Sequence, residues 1–314
     1  MSAEYLVLGL GGQLGNALEQ SLGNRAHCVG IEQVDFCDTD FIQKIEKIVA
    51  GWSPKALINA AAYTQVDKAE KEGRALSERV NAEAVGELAR WCRFKNIPMV
   101  HVSTDYVFDG TGDKPWQESD LTNPLSAYGT DKLESEKLIR AAGSDHLIFR
   151  TSWLYDAHGS NFFNTMLRLM SEREVLRVVA DQVGAPTYVP ELARCIIVGL
   201  ERALGMKDFP NGIFHLCNQG ETSWHGFASA IFALASKLNS SQKYALICKQ
   251  VLPISTAEYP TPAKRPLNSR LDCSKAKKIL GITMDDWQAG LAHCFNTRFA
   301  DADTTLRHSG SQNH

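Results

Sequence analysis

The sequence predicts an α/β protein: a doubly wound parallel sheet with helices on both faces, followed by a smaller mixed α/β lobe. Short apolar runs alternate with longer segments of helical spacing through the first half, the pattern of right-handed βαβ units. A glycine-rich turn joins the first run to the first helical segment. The second half loses the alternation and gains proline. In order, Tyr5 to Leu8 reads as a strand, 13–22 as a helix and His27 to Ile31 as a strand. Phe41, Ile45, Ile48 and Val49 give 40–50 helical spacing, and Ala56 to Ile58 is the third strand. A long helix over 71–95, a strand from Met99 to Val102, a helix over 127–142 and a strand from Leu147 to Phe149 complete the alternation. In such sheets ligands sit beyond the carboxyl ends of the strands.

The second half carries the loop strings Gly184-Ala185-Pro186-Thr187 and Pro260-Thr261-Pro262 with Arg265-Pro266. Helices are expected near 191–204, 224–238 and 285–296. The expected organisation is a dinucleotide-binding unit over 1–150 and a mainly substrate-binding lobe over 151–298, with some segments returning to the first unit. A polar tail over 299–314 is expected to be disordered.

Composition narrows the partners. The chain has 314 residues, 44% hydrophobic and 22% charged, with a net charge of −3, so bulk electrostatics favours neither nucleic acid nor membrane. The eight cysteines are scattered without a CxxC pair, which argues against a zinc site or a disulfide scaffold. The first residues lack a basic region, and no stretch approaches the roughly 18 apolar residues of a membrane span. The expected compartment is the cytoplasm.

Gly9-Leu10-Gly11-Gly12-Gln13-Leu14-Gly15 follows the first strand and opens the first helix. Glycine permits a tight turn and close approach to a pyrophosphate, and the helix N-terminus offers free N–H groups and partial positive charge. A strand–helix turn without a ligand has the same glycines. The position after an N-terminal apolar strand, within repeated βα units, favours a Rossmann-type dinucleotide site. Glu32 ends the second strand, about 20 residues on, where a carboxylate accepts from a ribose 2′-hydroxyl and repels a 2′-phosphate. That leans toward NADH over NADPH, and an exposed strand-end carboxylate is the equal alternative. Asp35 and Phe36 are candidates for adenine contact.

Tyr128 and Lys132 stand at i and i+4, on one helix face. A nearby ammonium and a cationic nicotinamide both favour the phenolate and lower the phenol pKa, so that Tyr128 can exchange a proton with a developing alkoxide. The pair alone also describes an inconsequential surface contact. Upstream, Ser103-Thr104-Asp105-Tyr106 leaves hydroxyls at the carboxyl end of the fourth strand. Thr104 there can polarise a carbonyl or simply cap a loop.

At these residues the chain resembles the dTDP-4-dehydrorhamnose reductase family of extended short-chain dehydrogenases, over about residues 4–298. The resemblance is carried by Gly12-Gln13-Leu14-Gly15, Asn59-Ala60-Ala61-Ala62-Tyr63-Thr64, Val66-Asp67-Lys68-Ala69-Glu70, Ser103-Thr104-Asp105-Tyr106-Val107-Phe108 and Tyr128 with Lys132. Phe149-Arg150-Thr151-Ser152-Trp153-Leu154-Tyr155, Asp181-Gln182-Val183-Gly184-Ala185-Pro186-Thr187 and Arg265-Pro266 before Asn268-Ser269-Arg270-Leu271-Asp272 extend it. It implies reduction of a 4-keto group on a nucleotide-linked deoxysugar by NADPH or NADH, with Thr104, Tyr128 and Lys132 as the catalytic set. Lys132 would also hold the nicotinamide ribose. Ala60, Ala61 and Ala62 would line the cofactor groove. Tyr106 would face the substrate, and Trp153 would offer an apolar face to the deoxyhexose or sit in the core. Asn161, Gln182 and Arg265 would serve the diphosphate and base.

Some members of that family form a dimer bridged by a magnesium ion on glutamates. The corresponding positions here are Ala17, Pro190 and Thr297, none of which supplies a carboxylate to a hard cation. The expectation is no metal site, and a monomer or a dimer built otherwise. Other readings on the same scaffold are a different nucleotide-sugar 4-ketoreductase, an epimerase, or a catalytically silent cofactor-binding subunit. A dehydratase is disfavoured, because Thr104 is followed by Asp105-Tyr106 rather than an acidic pair.

Overall fold

A computed structural model of the chain describes the backbone of residues 3–240 and 244–309. Strands β1 (Tyr5–Leu10), β2 (Ala26–Gly30), β3 (Ala56–Asn59), β4 (Met99–Thr104), β5 (His146–Thr151) and β6 (Gly212–His215) form one sheet. Its order is β2-β1-β3-β4-β5-β6, and every neighbouring pair is parallel. The order reverses at β1, between β2 and β3, which opens the crevice where such sheets bind ligands.

Helices follow the strands: α1 (Gln13–Leu22), α2 (Phe41–Ile48), α3 (74–95) and α4 (Ala127–Ala142). Successive residues of β1 point to opposite faces, and both faces are buried. Val7 joins Leu14 and Leu18 of α1 in one core cluster, while Leu6 and Leu8 join Phe41, Leu88 and Trp91 in the other. The long helix begins at Arg74 rather than 71 and is interrupted by a wide π turn, Arg79–Glu83. There Asn81 turns inward, accepts from Tyr63 N and donates to Tyr63 O, pinning the loop after β3. A side chain that serves a loop in this way is a recognised setting for a π bulge.

The second half adds α5 (Phe162–Met170), α6 (Val189–Leu204), α7 (Trp224–Ser240) and α8 (Trp287–Ser309). Sequence periodicity left α5 unassigned. The expected tail, 299–314, falls on the last turns of α8 and on residues outside those described. Segments of the second half pack into the first unit. Strand β6 closes the main sheet beside β5, and α6 puts Val189, Leu192 and Ile196 into the core cluster of α1. The smaller lobe has its own core around Tyr155, Phe163, Phe227, Ile231, Trp287 and Phe295. Its strands come in short sets. Val175–Val179 pairs with Gln250–Ile254, Val183–Gly184 lies between Thr222–Ser223 and Asn268–Ser269, and Leu154–Tyr155 pairs with Thr187–Tyr188. No helix among the described residues is long and apolar enough to cross a membrane.

Candidate active site

The glycine turn sits at the switch point. Gly9 has φ +105°, and a Cβ there would lie 2.6 Å from Ala61 N. A Cβ on Gly15 would lie 2.0 Å from Gly9 O, so only glycine lets the first turn of α1 press against the end of β1. Gly12 is the N-cap and offers no side-chain cap, which leaves the first N–H groups of α1 to an anion. These residues fit a dinucleotide pyrophosphate, with Gly12, Gln13, Leu14 and Gly15 as its cradle and half-buried Ala60 and Ala61 with exposed Ala62 opposite. Glu32 is exposed two residues past β2, and Asp35 accepts from Cys37 N. Phe36 is placed elsewhere: its ring packs on Phe41 in the core, 5.3 Å between centroids.

Thr104 ends β4, and Tyr128 occupies the first turn of α4. Ser126 caps that helix by accepting from Gly129 N at 3.1 Å. A Cβ on Gly129 would lie 2.3 Å from Tyr106 O, so its glycine lets α4 dock against the turn after β4. The docking brings the Tyr128 and Tyr106 rings edge to face at 6.0 Å. Thr104 Oγ1 accepts from Tyr106 N at 3.2 Å and donates to Asp105 Oδ1 at 3.1 Å. Asp105 Oδ2 is buried without a partner among the described residues. Burial raises the Asp105 carboxyl pKa to about 7 against hydrogen bonds from Ser269 and Thr104.

Burial dominates the electrostatics of the pair. Burial, then the Asp105 charge, raises the Tyr128 phenol, and only a hydrogen bond with Thr104 opposes them. Burial also costs Lys132 its own charge. Its ammonium pKa falls to about 7, with Glu136 pulling the other way. Tyr128 is therefore a protonated phenol at neutral pH and carries the proton that a developing alkoxide would take.

Beneath them lies a buried ion pair. Glu136, one turn after Lys132, receives Arg150 Nε at 2.9 Å, Arg150 Nη2 at 2.6 Å and the Ser103 hydroxyl. The i, i+4, i+8 spacing of Tyr128, Lys132 and Glu136 is visible in the sequence, but its buried Arg150 partner is not.

The smaller lobe supplies an aromatic wall. Trp153, held at φ +51°, stacks on Trp224 at 3.7 Å, and Phe162 leans on Trp224 at 4.6 Å. Buried Gln182 accepts from Trp224 Nε1 at 3.2 Å and donates to Thr256 Oγ1 at 3.1 Å. Asn161 caps α5 and donates to Gln13 Oε1 at 3.0 Å, tying the lobe to the glycine turn. Arg265 pairs with Asp67 at 3.0 Å. Sequence reasoning missed Trp224, which carries no motif, and it missed Asn59 and His101. A histidine inside the apolar strand Met99–Thr104 was the available signal.

Comparison with known proteins places the chain. The family model described as RmlD substrate binding domain matches residues 3–299. The dTDP-4-dehydrorhamnose reductase of Burkholderia thailandensis is 42% identical over 296 residues, covering 93% of this chain and 97% of its own. Among solved structures, the dTDP-4-dehydrorhamnose reductase of Clostridium acetobutylicum matches with TM-score 0.83 at 33% identity, over 93% of this chain and 98% of its own. That of Bacillus anthracis, solved with NADP, matches with TM-score 0.82 at 32% identity, over 94% and 99%. The chain belongs to this family of NAD(P)-dependent oxidoreductases.

Proposed function

We propose that this family member reduces the 4-keto group of dTDP-4-dehydro-L-rhamnose, giving dTDP-L-rhamnose, with NADH or NADPH as the donor. The observation that supports it best is that Thr104 at the end of β4, its hydrogen-bond partner Tyr128 in the first turn of α4, and Lys132 against His101 of β4 lie together toward the carboxyl end of the sheet. A reduced nicotinamide, when bound, supplies the hydride that reaches C4. Tyr128 passes its hydroxyl proton to the C4 oxygen as charge develops there, and the N-terminus of α4 favours the phenolate left behind. Thr104 turns its hydroxyl hydrogen from Asp105 to that oxygen and holds it. Lys132 orients the nicotinamide ribose. Trp153 presents an apolar face to the deoxysugar, while Tyr106, Asn161, Gln182 and Arg265 address the rest of the nucleotide sugar. Ala17, Pro190 and Thr297 offer no carboxylate for a bridging cation, so the chain works as a monomer or as a dimer not bridged by metal. No nucleic-acid or membrane partner is part of this reading.

The test is cofactor oxidation followed by absorbance with dTDP-4-dehydro-L-rhamnose, run separately with NADH and NADPH and repeated with the UDP analogue. Steady oxidation with the dTDP sugar is expected. No oxidation with either cofactor and any nucleotide sugar, with a partner protein co-purifying, would replace it with a silent binding subunit.

A further inference from the structure

Behind Lys132 runs a buried polar column that the reaction above does not use. Asn59 and His101 face each other in register across β3 and β4. Asn59 Nδ2 lies 3.2 Å from His101 Nδ1, and His101 Nε2 lies 3.1 Å from Ser135 Oγ and 3.0 Å from Lys132 Nζ. All four residues are almost wholly buried, so each hydrogen must be accounted for.

The accounting has one consistent solution. Asn59 Oδ1 is taken by the Ala61 backbone N–H at 3.1 Å. That fixes the amide, and its NH₂ donates to His101 Nδ1, which must be an acceptor. A neutral imidazole with Nδ1 as acceptor carries its proton on Nε2. Ser135 spends its own hydroxyl hydrogen on Lys132 O at 2.6 Å, so its oxygen is an acceptor toward Nε2–H. Lys132 Nζ, at 3.0 Å from the same nitrogen, shares that one hydrogen with Ser135 Oγ, an arrangement that suits an amine lone pair better than an ammonium.

We propose that Asn59 and His101 are positioning residues for Lys132: together they present an imidazole N–H to its Nζ and so set the proton occupancy of the amine. This rests on the reading of Lys132 as part of the catalytic set. The surroundings agree. Burial and the Lys132 charge hold His101 well below the usual imidazole range, so it is neutral. The charged groups beyond the column are Glu136 on α4, which favours the ammonium, and Arg150 on β5, which is bound to Glu136. Asp131, the neighbour of Lys132 on α4, is turned to Arg74 and Ser77 of α3. An amine so placed can gain and lose a proton near neutral pH.

The first experiment is NMR of protein with labelled imidazole nitrogens, assigning His101 by its loss in a His101→Gln variant. The Nε2–H tautomer is expected across neutral pH, and an Nδ1–H tautomer or an imidazolium overturns the proposal. The second follows the Lys132 Cε resonance against pH in the wild type and in Asn59→Asp. The carboxylate accepts from Nδ1–H, turns Nε2 into an acceptor and should move the Lys132 midpoint up by more than about one pH unit. An unmoved midpoint with a switched tautomer overturns the coupling. The limb of the kcat profile that reports Lys132 should move with it while KM holds. A uniform fall in kcat with an unmoved limb would mean that the column only packs. Both NMR readings stand without turnover, so failure of the substrate assignment leaves them decisive.

Discussion

At the carboxyl end of the parallel sheet, the side chains facing the cleft hang on buried polar networks. Lys132 rests on His101 and Asn59, and the same face of α4 is braced by the Glu136–Arg150 pair. The smaller lobe presents Trp153, Trp224 and Phe162, half-buried rings in a loop and at helix starts. The first region fixes hydrogens and charges to within a bond length, because an unmatched polar group there costs free energy. The second fixes only a shape, which stacking tolerates over a wider range. Proton transfer needs the former, and holding a deoxysugar needs only the latter.

The sharpest break of this contrast is Tyr128→Phe. Removing the one hydroxyl should lower kcat by roughly 100- to 10,000-fold and leave cofactor affinity, read by fluorescence titration, unchanged. Full activity would remove proton donation from the sheet side. Next is Glu136→Leu, which strands the buried Arg150 guanidinium. A loss of ~3–5 kcal/mol in urea unfolding is expected, and a loss below ~1 kcal/mol would show the network to be dispensable. Third is Asp105. Its carboxyl titrates near 7 in the fold against an ordinary value of 3.8, so the folded state keeps a proton that the unfolded chain releases. Stability should fall as pH rises through that window, by about 4 kcal/mol at most. Asp105→Asn should flatten the profile, and an equally steep profile in the variant would assign the slope elsewhere.

This contrast also explains what could be read from residues alone. The sheet unit was legible because apolar period and glycine chemistry are local: the boundaries of α1 and α4 stand at 13–22 and 127–142. Helix α5 was not, because its register is set by the lobe core through Phe163 and Met170. Thr104, Tyr128 and Lys132 were legible as a constellation, yet the low charge on Lys132 depends on burial, which spacing does not report. Asn59, His101 and Trp224 owe their roles to partners 42 residues away for the first two and to Trp153 for the third. Phe36 shows the converse, a residue placed by motif whose ring the core claims.

On the lobe side the effects should be smaller. Trp224→Leu and Trp153→Leu each remove one ring of a stacked pair, and a double-mutant cycle should return a coupling of about 0.5–1.5 kcal/mol. KM for the nucleotide sugar should rise several-fold, with kcat for the bound substrate nearly kept. A fall in kcat as deep as that of Tyr128→Phe would erase the division between the two regions.

The smallest effect belongs where the regions meet. Asp67, just beyond β3, pairs with Arg265 of the lobe, and both side chains are about a third exposed, 40% and 31%. An ion pair so open to water is worth about 0–1 kcal/mol, so Asp67→Asn should barely move the unfolding midpoint. The pair nevertheless spends one guanidinium edge of Arg265 on a carboxylate. Freed by Asp67→Asn, Arg265 would reach an anionic ligand without first giving up a partner, and KM for the nucleotide sugar should fall a few-fold in low salt and converge on the wild-type value as salt screens the charge. An unchanged KM would mean that Arg265 serves only to clasp the lobe to the sheet.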